Sequence, residues 1–245
     1  MTLKECMLIN NDCYKAAKKI IKPAGIVVHS TGCNNPYLKR YVNPVKSQKY
    51  YDEVIADIGK NAYDNHWNHS VAEMKRSVCV HGFIGLNASG EVETYQTLPF
   101  NYCCWGVGSG KVGSFNYNPV AHIQFEICED GLRDETYFNK AMKEAQEFCA
   151  YLCKTYSLSA GSICSHAEAY KLGYGSNHND CDFWLSKFGK DMDWFRDQVE
   201  TLLSSATQPK QVYRVQVGEY KSRTNAELMM KKLKDLGFNA KIKTV

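Results

Sequence analysis

Residues 163–184 read Ile163-Cys-Ser-His166-Ala-Glu168-Ala-Tyr-Lys-Leu-Gly-Tyr-Gly-Ser-Asn-His178-Asn-Asp180-Cys-Asp-Phe-Trp184, which places several zinc-type ligands around a glycine-containing turn. A second segment, Gly25-Ile-Val-Val-His29-Ser-Thr31, contains an apolar run that leads into a histidine. A short apolar run before a histidine is typical of a buried strand that delivers a ligand at its carboxyl end. Together the two segments predict a metal site of the hydrolytic kind.

A catalytic zinc site needs three protein ligands and one open position for water. His29 and His166 each stand at the end of an apolar run, so both are candidate ligands. His178, Asp180 and Cys181 are all chemically suitable as the third ligand, and the pattern alone leaves the choice among them open.

A charged side chain interrupts the predicted strand His122-Ile-Gln-Phe-Glu126-Ile-Cys128. Alternation along a strand puts Glu126 on the face opposite the apolar residues, and a carboxylate there is costly to bury without a partner. If this face borders the metal, Glu126 is a candidate general base; the alternative is a salt-bridged edge residue. His81 also lies in a predicted strand, and we interpret it as structural or substrate-lining.

Strand and helix patterns alternate before residue 204, which predicts an α/β domain. The predicted elements are strands at 25–29, 78–85, 91–96, 121–128 and 163–165, a hairpin between the second and third of these, and helices at 136–156 and 192–203. The domain is predicted to span residues 1–203.

The polar segment 204–211 contains a proline and predicts a linker. Beyond it, residues 212–217 alternate like a strand, and Thr224-Asn-Ala-Glu227 has the pattern of a capping box that opens a helix. Gly237 stands where that helix would end, and a second strand is expected at 239–242. Residues 212–245 are therefore predicted to form a small βαβ unit.

The charge is unevenly distributed along the 245 residues. Residues 210–245 carry nine Lys or Arg against three Asp or Glu, whereas residues 1–209 carry 21 basic and 23 acidic side chains. A basic tail fits an anionic polymer, such as nucleic acid or cell-wall glycopolymer, as well as it fits a solvated charged face.

Composition also bears on the compartment. No run approaches the ~20 apolar residues of a membrane span, and Met1-Thr-Leu-Lys-Glu-Cys6 lacks the order of a signal peptide. We expect a protein that is made in the cytosol and stays there unless something releases it. The eleven cysteines include no Cys-x-x-Cys pair, so they are predicted to be mostly reduced, buried thiols.

Residues 8–203 resemble the zinc-dependent N-acetylmuramoyl-L-alanine amidases, a group that includes the peptidoglycan recognition proteins, and most closely the clostridial and clostridial-phage members. The resemblance rests on a series of segments in the family's order: Asn11-Asp-Cys-Tyr14, Gly25-Ile-Val-Val-His29-Ser-Thr-Gly, Leu38-Lys-Arg-Tyr-Val42, Asn65-His-Trp-Asn68, His81-Gly-Phe-Ile-Gly85, Tyr95-Gln-Thr-Leu-Pro99, Phe125-Glu126-Ile-Cys-Glu-Asp-Gly131, His166-Ala-Glu-Ala-Tyr-Lys-Leu-Gly173 and Ser176-Asn-His178-Asn-Asp180.

The resemblance implies a central mixed sheet flanked by helices, with zinc in an open groove. It implies zinc ligands at His29, His166 and Asp180, and catalytic roles for Glu126 and His178. The expected partner is bacterial peptidoglycan, with no role for nucleic acid or membrane, and the expected reaction cleaves the amide between N-acetylmuramic acid and L-alanine.

The sequence departs from the family pattern at two positions. Some relatives have a catalytic tyrosine where this chain has Val80, which leaves the chemistry to Glu126. Close relatives often have a histidine after the tryptophan equivalent to Trp105, where this chain has Gly106. A contact in the groove is therefore expected to be missing.

The segments Tyr213-Arg-Val-Gln-Val-Gly-Glu-Tyr220, Asn225-Ala-Glu-Leu228 and Leu233-Lys-Asp-Leu-Gly-Phe238 resemble the first half of a sporulation-related repeat (SPOR) domain, which binds cell-wall glycan. A unit this short can bury little apolar surface by itself. We therefore hypothesise that two copies pair and make the protein a two-fold symmetric dimer.

Two other classes of function compete with the amidase. Some relatives keep the groove, lack the third ligand and bind peptidoglycan without cutting it, but this chain has Asp180 at that position. A cysteine hydrolase would use Cys164 or Cys181 beside a histidine. For an amidase without a signal peptide, we expect release to the wall by a phage holin, as in an endolysin, or by mother-cell lysis, as in an autolysin.

Overall fold

A computed structural model describes residues 1, 3–16, 19–207, 216–238 and 240–243. The chain divides into two compact units, residues 1–207 and residues 208–245. The strands of the first unit are β1 (Leu3–Glu5), β2 (Gly25–Asn34), β3 (Gly82–Leu86), β4 (Val92–Gln96), β5 (His122–Glu129) and β6 (Ile163–Ser165). Its helices are α1 (Asp12–Ala16), α2 (Tyr51–Ile58), α3 (Val71–Met74), α4 (Glu135–Tyr156), α5 (His166–Lys171), α6 (Asp182–Lys187) and α7 (Met192–Thr207).

The six strands form one sheet in the order β1-β4-β3-β5-β2-β6. The predicted hairpin is confirmed, because β3 and β4 pair antiparallel while every other neighbouring pair is parallel. Asn87 shapes the turn of the hairpin: its Oδ1 accepts the backbone N–H groups of Ser89 and Glu91, each at 3.0 Å. The predicted mixed α/β sheet is therefore confirmed.

The central strand β5 has two different faces, as its alternation predicts. Ile123, Phe125 and Ile127 are fully buried and pack with α4, α6 and α7 in the largest apolar cluster of the described residues. The opposite face carries Gln124 and Glu126, and it is this face that borders the candidate site. One face of the strand stabilises the fold and leaves the other free for polar side chains.

The long helix α4 supplies much of that apolar cluster, and its ends are well defined. Asp134 caps the first turn by accepting the backbone N–H groups of Thr136 and Tyr137 at 2.8 and 3.2 Å. The helix ends at Ser157, which adopts a left-handed conformation with φ of 57°. Its bounds differ from the predicted 136–156 by a single residue.

Three predicted boundaries were wrong. Strand β3 begins at Gly82 and not at residue 78, because Cys79 makes only an isolated bridge with Trp105. Strand β2 does not end at His29 but continues to Asn34, because β5 pairs with it through Ser30 and again at Asn34. Helix α7 extends to Thr207, into the predicted linker, and Ser205 donates its hydroxyl back to the carbonyl of Thr201 at 2.7 Å. A back-bonded serine is compatible with a helix, so the polar composition did not stop it.

The second unit contains α8 (Arg223–Asp235), which ends before Gly237 at φ of 84°, as predicted. The capping box at Thr224 was wrong: Ser222 occupies the cap position, and Glu227 instead pairs with Arg223 at 2.9 Å. Residues 212–215 and Asn239 lie outside the described residues. Residues 216–217 and 240–242 are not in strands, so only the helix of the predicted βαβ unit is present in the described part. A strand requires a neighbour for its backbone groups, and the described part of this unit offers none.

None of the helices in the described ranges is both long enough and apolar enough to cross a membrane.

Candidate metal centre

Three of the predicted site residues converge, although they are far apart in the sequence. Nδ1 of His29 lies 3.0 Å from Oδ2 of Asp180, and Nδ1 of His166 lies 3.1 Å from Oδ1 of the same carboxylate. The two histidine Nδ1 atoms are 3.1 Å apart. The structure therefore brings together His29, His166 and Asp180, and of the three suitable third residues it selects the aspartate.

Adjacent parallel strands explain how the two histidines meet. Val28 of β2 pairs with Ser165 of β6, so the residues that follow them, His29 and His166, emerge side by side. His166 begins α5, and a capping box between Ser165 and Glu168 fixes that first turn. The imidazole of His166 is therefore held by a strand on one side and a capped helix on the other.

The loop that carries Asp180 is anchored to β2. The backbone N–H of Cys181 donates to Oγ of Ser30 at 2.8 Å, and that hydroxyl donates to Oε1 of Glu129 at 2.6 Å. Helix α6 then follows, and its Trp184 is buried against Tyr137 of α4. These contacts fix Asp180 next to the histidines.

The donor set fits a metal cation. Oδ1 of Asp180 is buried and has no hydrogen-bond partner of good geometry, although His166 lies within 3.1 Å. His29 and His166 direct Nδ1 atoms at each other, and two lone pairs at that distance repel unless a cation or proton lies between them. Two imidazoles and one carboxylate are ligands that Zn²⁺ accepts in a site with an open fourth position.

The electrostatics of Asp180 agree with this fit. Burial opposes ionisation of its carboxyl group, but the hydrogen bonds and charges of His166 and His29 outweigh that cost and lower its pKa below its ordinary value. The carboxylate is therefore ionised at neutral pH, as a metal ligand must be.

His178 lies beside the cluster on the exposed side. Its ring stacks on that of His166 with centroids 4.7 Å apart, and its Nδ1 lies 3.0 Å from Oγ of Ser176. The side chain is exposed to solvent. His178 is therefore placed to meet a bound molecule next to the ligand set and does not complete that set itself.

Glu126 is the Cα partner of His29 across the β2–β5 pair. The residue is partly exposed, but its Oε2 atom is buried and has no hydrogen-bond partner. Burial, followed by the negative charges of Asp180 and Glu129, raises the pKa of Glu126 well above its ordinary value, against the opposing charge of Arg76. A carboxyl with a raised pKa beside a metal site can take up and return a proton near neutral pH.

The two strand-borne histidines outside the cluster have structural roles. His81 is fully buried; its Nε2 bonds the carbonyl of Tyr102 at 2.9 Å, and its Nδ1 accepts the N–H of Gln124 at 3.0 Å. His122 stacks on Phe115 with centroids 3.8 Å apart. His81 is thus structural, as one of the two predicted roles had it.

We expect His81 to destabilise the protein in mild acid. Burial lowers its pKa from 6.5 to about 4. Between these values the unfolded chain takes up a proton that the folded chain does not, so stability falls as the pH is lowered. At pH 5 the loss should be about 2 kcal/mol. NMR should show a His81 ring that stays neutral down to about pH 4. A titration midpoint near 6.5 would contradict this.

The cysteines proposed as nucleophiles are protonated thiols. Burial raises the pKa of Cys164 to about 12 and that of Cys181 well above its ordinary value. Since the thiolate is the nucleophile, neither group suits that chemistry. In the described residues none of the eleven cysteines forms a disulfide, which agrees with the prediction of reduced thiols.

A second cluster contains Asp64, His66 and His69 but does not suit a metal. The two rings stack with centroids 4.1 Å apart, and their Nε2 atoms lie 3.2 and 3.1 Å from Oδ1 of Asp64. Nδ1 of His66 accepts the N–H of Asn68, and burial lowers the pKa of His66 to about 4. Its proton therefore sits on Nε2 and is donated to Asp64, so no lone pair faces a metal there.

Two polar residues that touch the ligand histidines were not predicted. Oε1 of Gln124 lies 3.2 Å from Nε2 of His29, and Oγ of Ser176 lies 3.2 Å from Nε2 of His166. Gln124 could have been identified from the sequence, because it is a polar residue on the same strand face as Glu126. Ser176 could not, since serine is common in loops.

The sequence matches the family described as N-acetylmuramoyl-L-alanine amidase over residues 20–181, which is well over half of the chain. Residues 193–245 match the SPOR domain family, and that match begins inside α7. No protein of curated function matches the chain in sequence.

Several solved structures share the fold. Among them, the Staphylococcus aureus hydrolase AmiA has a TM-score of 0.53 and 18% identity, with 83% of each chain covered. PlyL has a TM-score of 0.52 and 17% identity over 82% of this chain and 98% of its own. The catalytic domain of XlyA has a TM-score of 0.51 and 18% identity over 81% of this chain and 99% of its own. On its own sequence match and the site described above, the chain belongs to the N-acetylmuramoyl-L-alanine amidase family.

Proposed function

We propose that this chain is a zinc-dependent peptidoglycan amidase that hydrolyses the bond between the lactyl group of N-acetylmuramic acid and the L-alanine of the stem peptide. The observation that carries the proposal is the convergence of His29, His166 and Asp180 beside an unpartnered Glu126. The match to the amidase family supports the choice of bond.

His29, His166 and Asp180 would hold the ion. Zinc bound there would lower the pKa of a water molecule and polarise the amide carbonyl. Glu126 would remove the proton from the attacking water and deliver it to the departing amine nitrogen. His178 would donate a hydrogen bond to the oxygen on which negative charge develops. Val80 is fully buried and has no group that could take part, so the proton transfer falls to Glu126.

The test is digestion of purified cell wall by the metal-loaded protein, with and without a chelator. We expect new L-alanine amino groups and lactyl carboxyl groups in equal amounts, no new reducing sugar ends, and loss of both products with the chelator. Restoration by added zinc completes the assignment. Release of reducing ends, or cleavage that survives complete removal of metal, would contradict the proposal.

A non-catalytic recognition protein is the second candidate. It would bind wall without lowering the turbidity of a cell suspension. Asp180 favours the enzyme, because its partly buried carboxylate supplies the third donor that a non-cutting relative would lack.

For the C-terminal unit we propose binding to cell-wall glycan, supported by the match to the SPOR domain family. The apolar face of α8 is only half-buried at Met229, Met230 and Leu233, and Leu236 is 73% exposed. Pairing of two copies would cover this face. A monomeric mass in light scattering of the full-length protein at micromolar concentration would rule out the pairing.

A further inference from the structure

Each ligand histidine has its second ring nitrogen bound to a protein group, and both groups lead to the backbone of Val107. This residue is fully buried, and its N–H and C=O point to different partners. The tautomer of a ligand histidine decides which nitrogen can bind a metal, and the partner of the other nitrogen sets that tautomer. The two series of hydrogen bonds therefore decide which ring nitrogen of each histidine can bind the ion.

The chain to His29 begins at the N–H of Val107, which donates to Oδ1 of Asn116 at 3.3 Å. A backbone N–H can only donate, so the amide of Asn116 must present its oxygen here. The same oxygen lies 2.9 Å from Nε2 of Gln124, which must therefore be the donor. The orientation of the Gln124 amide is thereby fixed, with Oε1 turned toward His29.

Oε1 of Gln124 can only accept, and it lies 3.2 Å from Nε2 of His29. Nε2 is therefore the nitrogen that keeps a proton when a metal is bound, and Nδ1, the atom that faces Asp180 and His166, is the one that offers its lone pair to the ion. Gln124 is fully buried, so water does not compete for this contact.

The chain to His166 begins at the C=O of Val107, which can only accept. Oγ of Ser176 donates its single proton to that carbonyl at 3.1 Å. The hydroxyl oxygen then accepts from Nε2 of His166 at 3.2 Å. When a metal is bound, Nδ1 of His166 offers its lone pair to the ion in the same way as Nδ1 of His29.

Gly106 provides the space that this arrangement needs. A Cβ atom at this position would lie 2.3 Å from Oε1 of Gln124 and 3.1 Å from Cγ1 of Val80. The φ angle of Gly106 is not in the left-handed region, so its backbone conformation does not require glycine. Glycine is needed here because a side chain would not fit. Gly106 is one of the two positions where the sequence departs from the family pattern. The space beside it is occupied by the amide of Gln124, 18 positions further along the chain.

We propose that Gln124 and Ser176 are positioning residues that fix both ligand histidines as Nε2–H tautomers. Gly106 lacks a side chain and so leaves room for the Gln124 amide. The inference rests on the proposed function for one point alone, which is that the bound metal is zinc. It predicts that metal affinity depends on groups that never touch the metal.

The direct test is ¹⁵N NMR of full-length, histidine-labelled protein loaded with zinc. Nε2 of both His29 and His166 should show the shift of a protonated nitrogen, and Nδ1 that of a metal-bound one. A protonated Nδ1 on His29 would overturn the proposal, and this result needs neither a variant nor a substrate.

The second test measures zinc affinity by competition with a chelator. Gln124→Met fills the same space without an acceptor and should weaken zinc binding about 10–100-fold. Gly106→Ala removes no polar group, yet it should weaken binding through displacement of the Gln124 amide. The matched controls are Gln146→Met, at a buried glutamine of α4, and Gly161→Ala, whose added carbon meets only Oγ of Ser159 at 3.6 Å.

Wild-type affinity in both Gln124→Met and Gly106→Ala would overturn the proposal. If Gln124→Met fails to fold, Gly106→Ala and the NMR of the unchanged protein still decide it. A protein that shows the expected tautomers and binds zinc but cleaves no amide would refute the proposed function and leave this inference standing.

Discussion

Glu126→Gln should retain zinc and lose about 10²–10⁴-fold in the rate of amide cleavage, which is the usual contribution of a general base. Glutamine has nearly the same shape, so the strand and the neighbouring His29 should be undisturbed. It removes the carboxylate that could accept a proton from water. The variant should also be at least as stable as the wild type, because an ionisable group without a partner at Oε2 is replaced by a neutral one.

The measurement is the cleavage rate on a soluble muramyl peptide, together with the zinc content of the same sample. Glu144→Gln is the matched control, since that carboxylate lies on α4 and bonds the hydroxyl of Thr94, away from the ligand histidines. It should cleave at the wild-type rate. A Glu126→Gln protein with full zinc and full rate would remove Glu126 from the mechanism.

The sheet was predictable because its strands carry strong local patterns. Strand β5 alternates strictly, so its apolar face and its polar face could be assigned from the order of its residues alone. Helix α4 has a clear cap at Asp134 and a long apolar stripe. The convergence of His29 and His166 also followed from pattern, since each emerges where an apolar run of a parallel strand gives way to polar residues.

Other features depend on contacts that the local sequence does not show. The length of β2 beyond His29 is set by pairing with β5 and not by its own apolar run. The fit between Gly106 and Gln124 joins residues from different parts of the chain, and a glycine pattern alone indicates a turn. At Thr224 the capping motif was present, but the helix had already begun one residue earlier.

Strand β5 shows how stability and function share one element. Ile123, Phe125 and Ile127 fix the strand against α4 at full burial. With the strand held in place, Gln124 can be buried beside His29, and Glu126 can keep an unpartnered oxygen, at a cost the apolar face offsets. Functional sites of this kind place polar groups at buried positions where stability alone would favour apolar residues.

Asp180→Ala should abolish tight zinc binding. A ligand lost from the ion itself should cost more than the 10–100-fold that is typical of a residue that only orients a ligand. His29 and His166 would keep their positions, because β2 and β6 remain paired, but two imidazoles alone leave the ion without its charged donor.

Thermal unfolding with and without zinc measures this loss without any substrate. For the wild type, zinc at about 1,000 times its Kd should stabilise the fold by about 4 kcal/mol, which raises Tm by about 10 °C in a domain of this size. Asp180→Ala should show no such rise. Asp64→Ala is the control, because Asp64 lies in the second histidine cluster. There the proton on Nε2 of His66 points at Asp64 and excludes a metal. It should keep the full zinc-dependent rise, and a rise of wild-type size in Asp180→Ala would refute the assignment of Asp180 as a ligand.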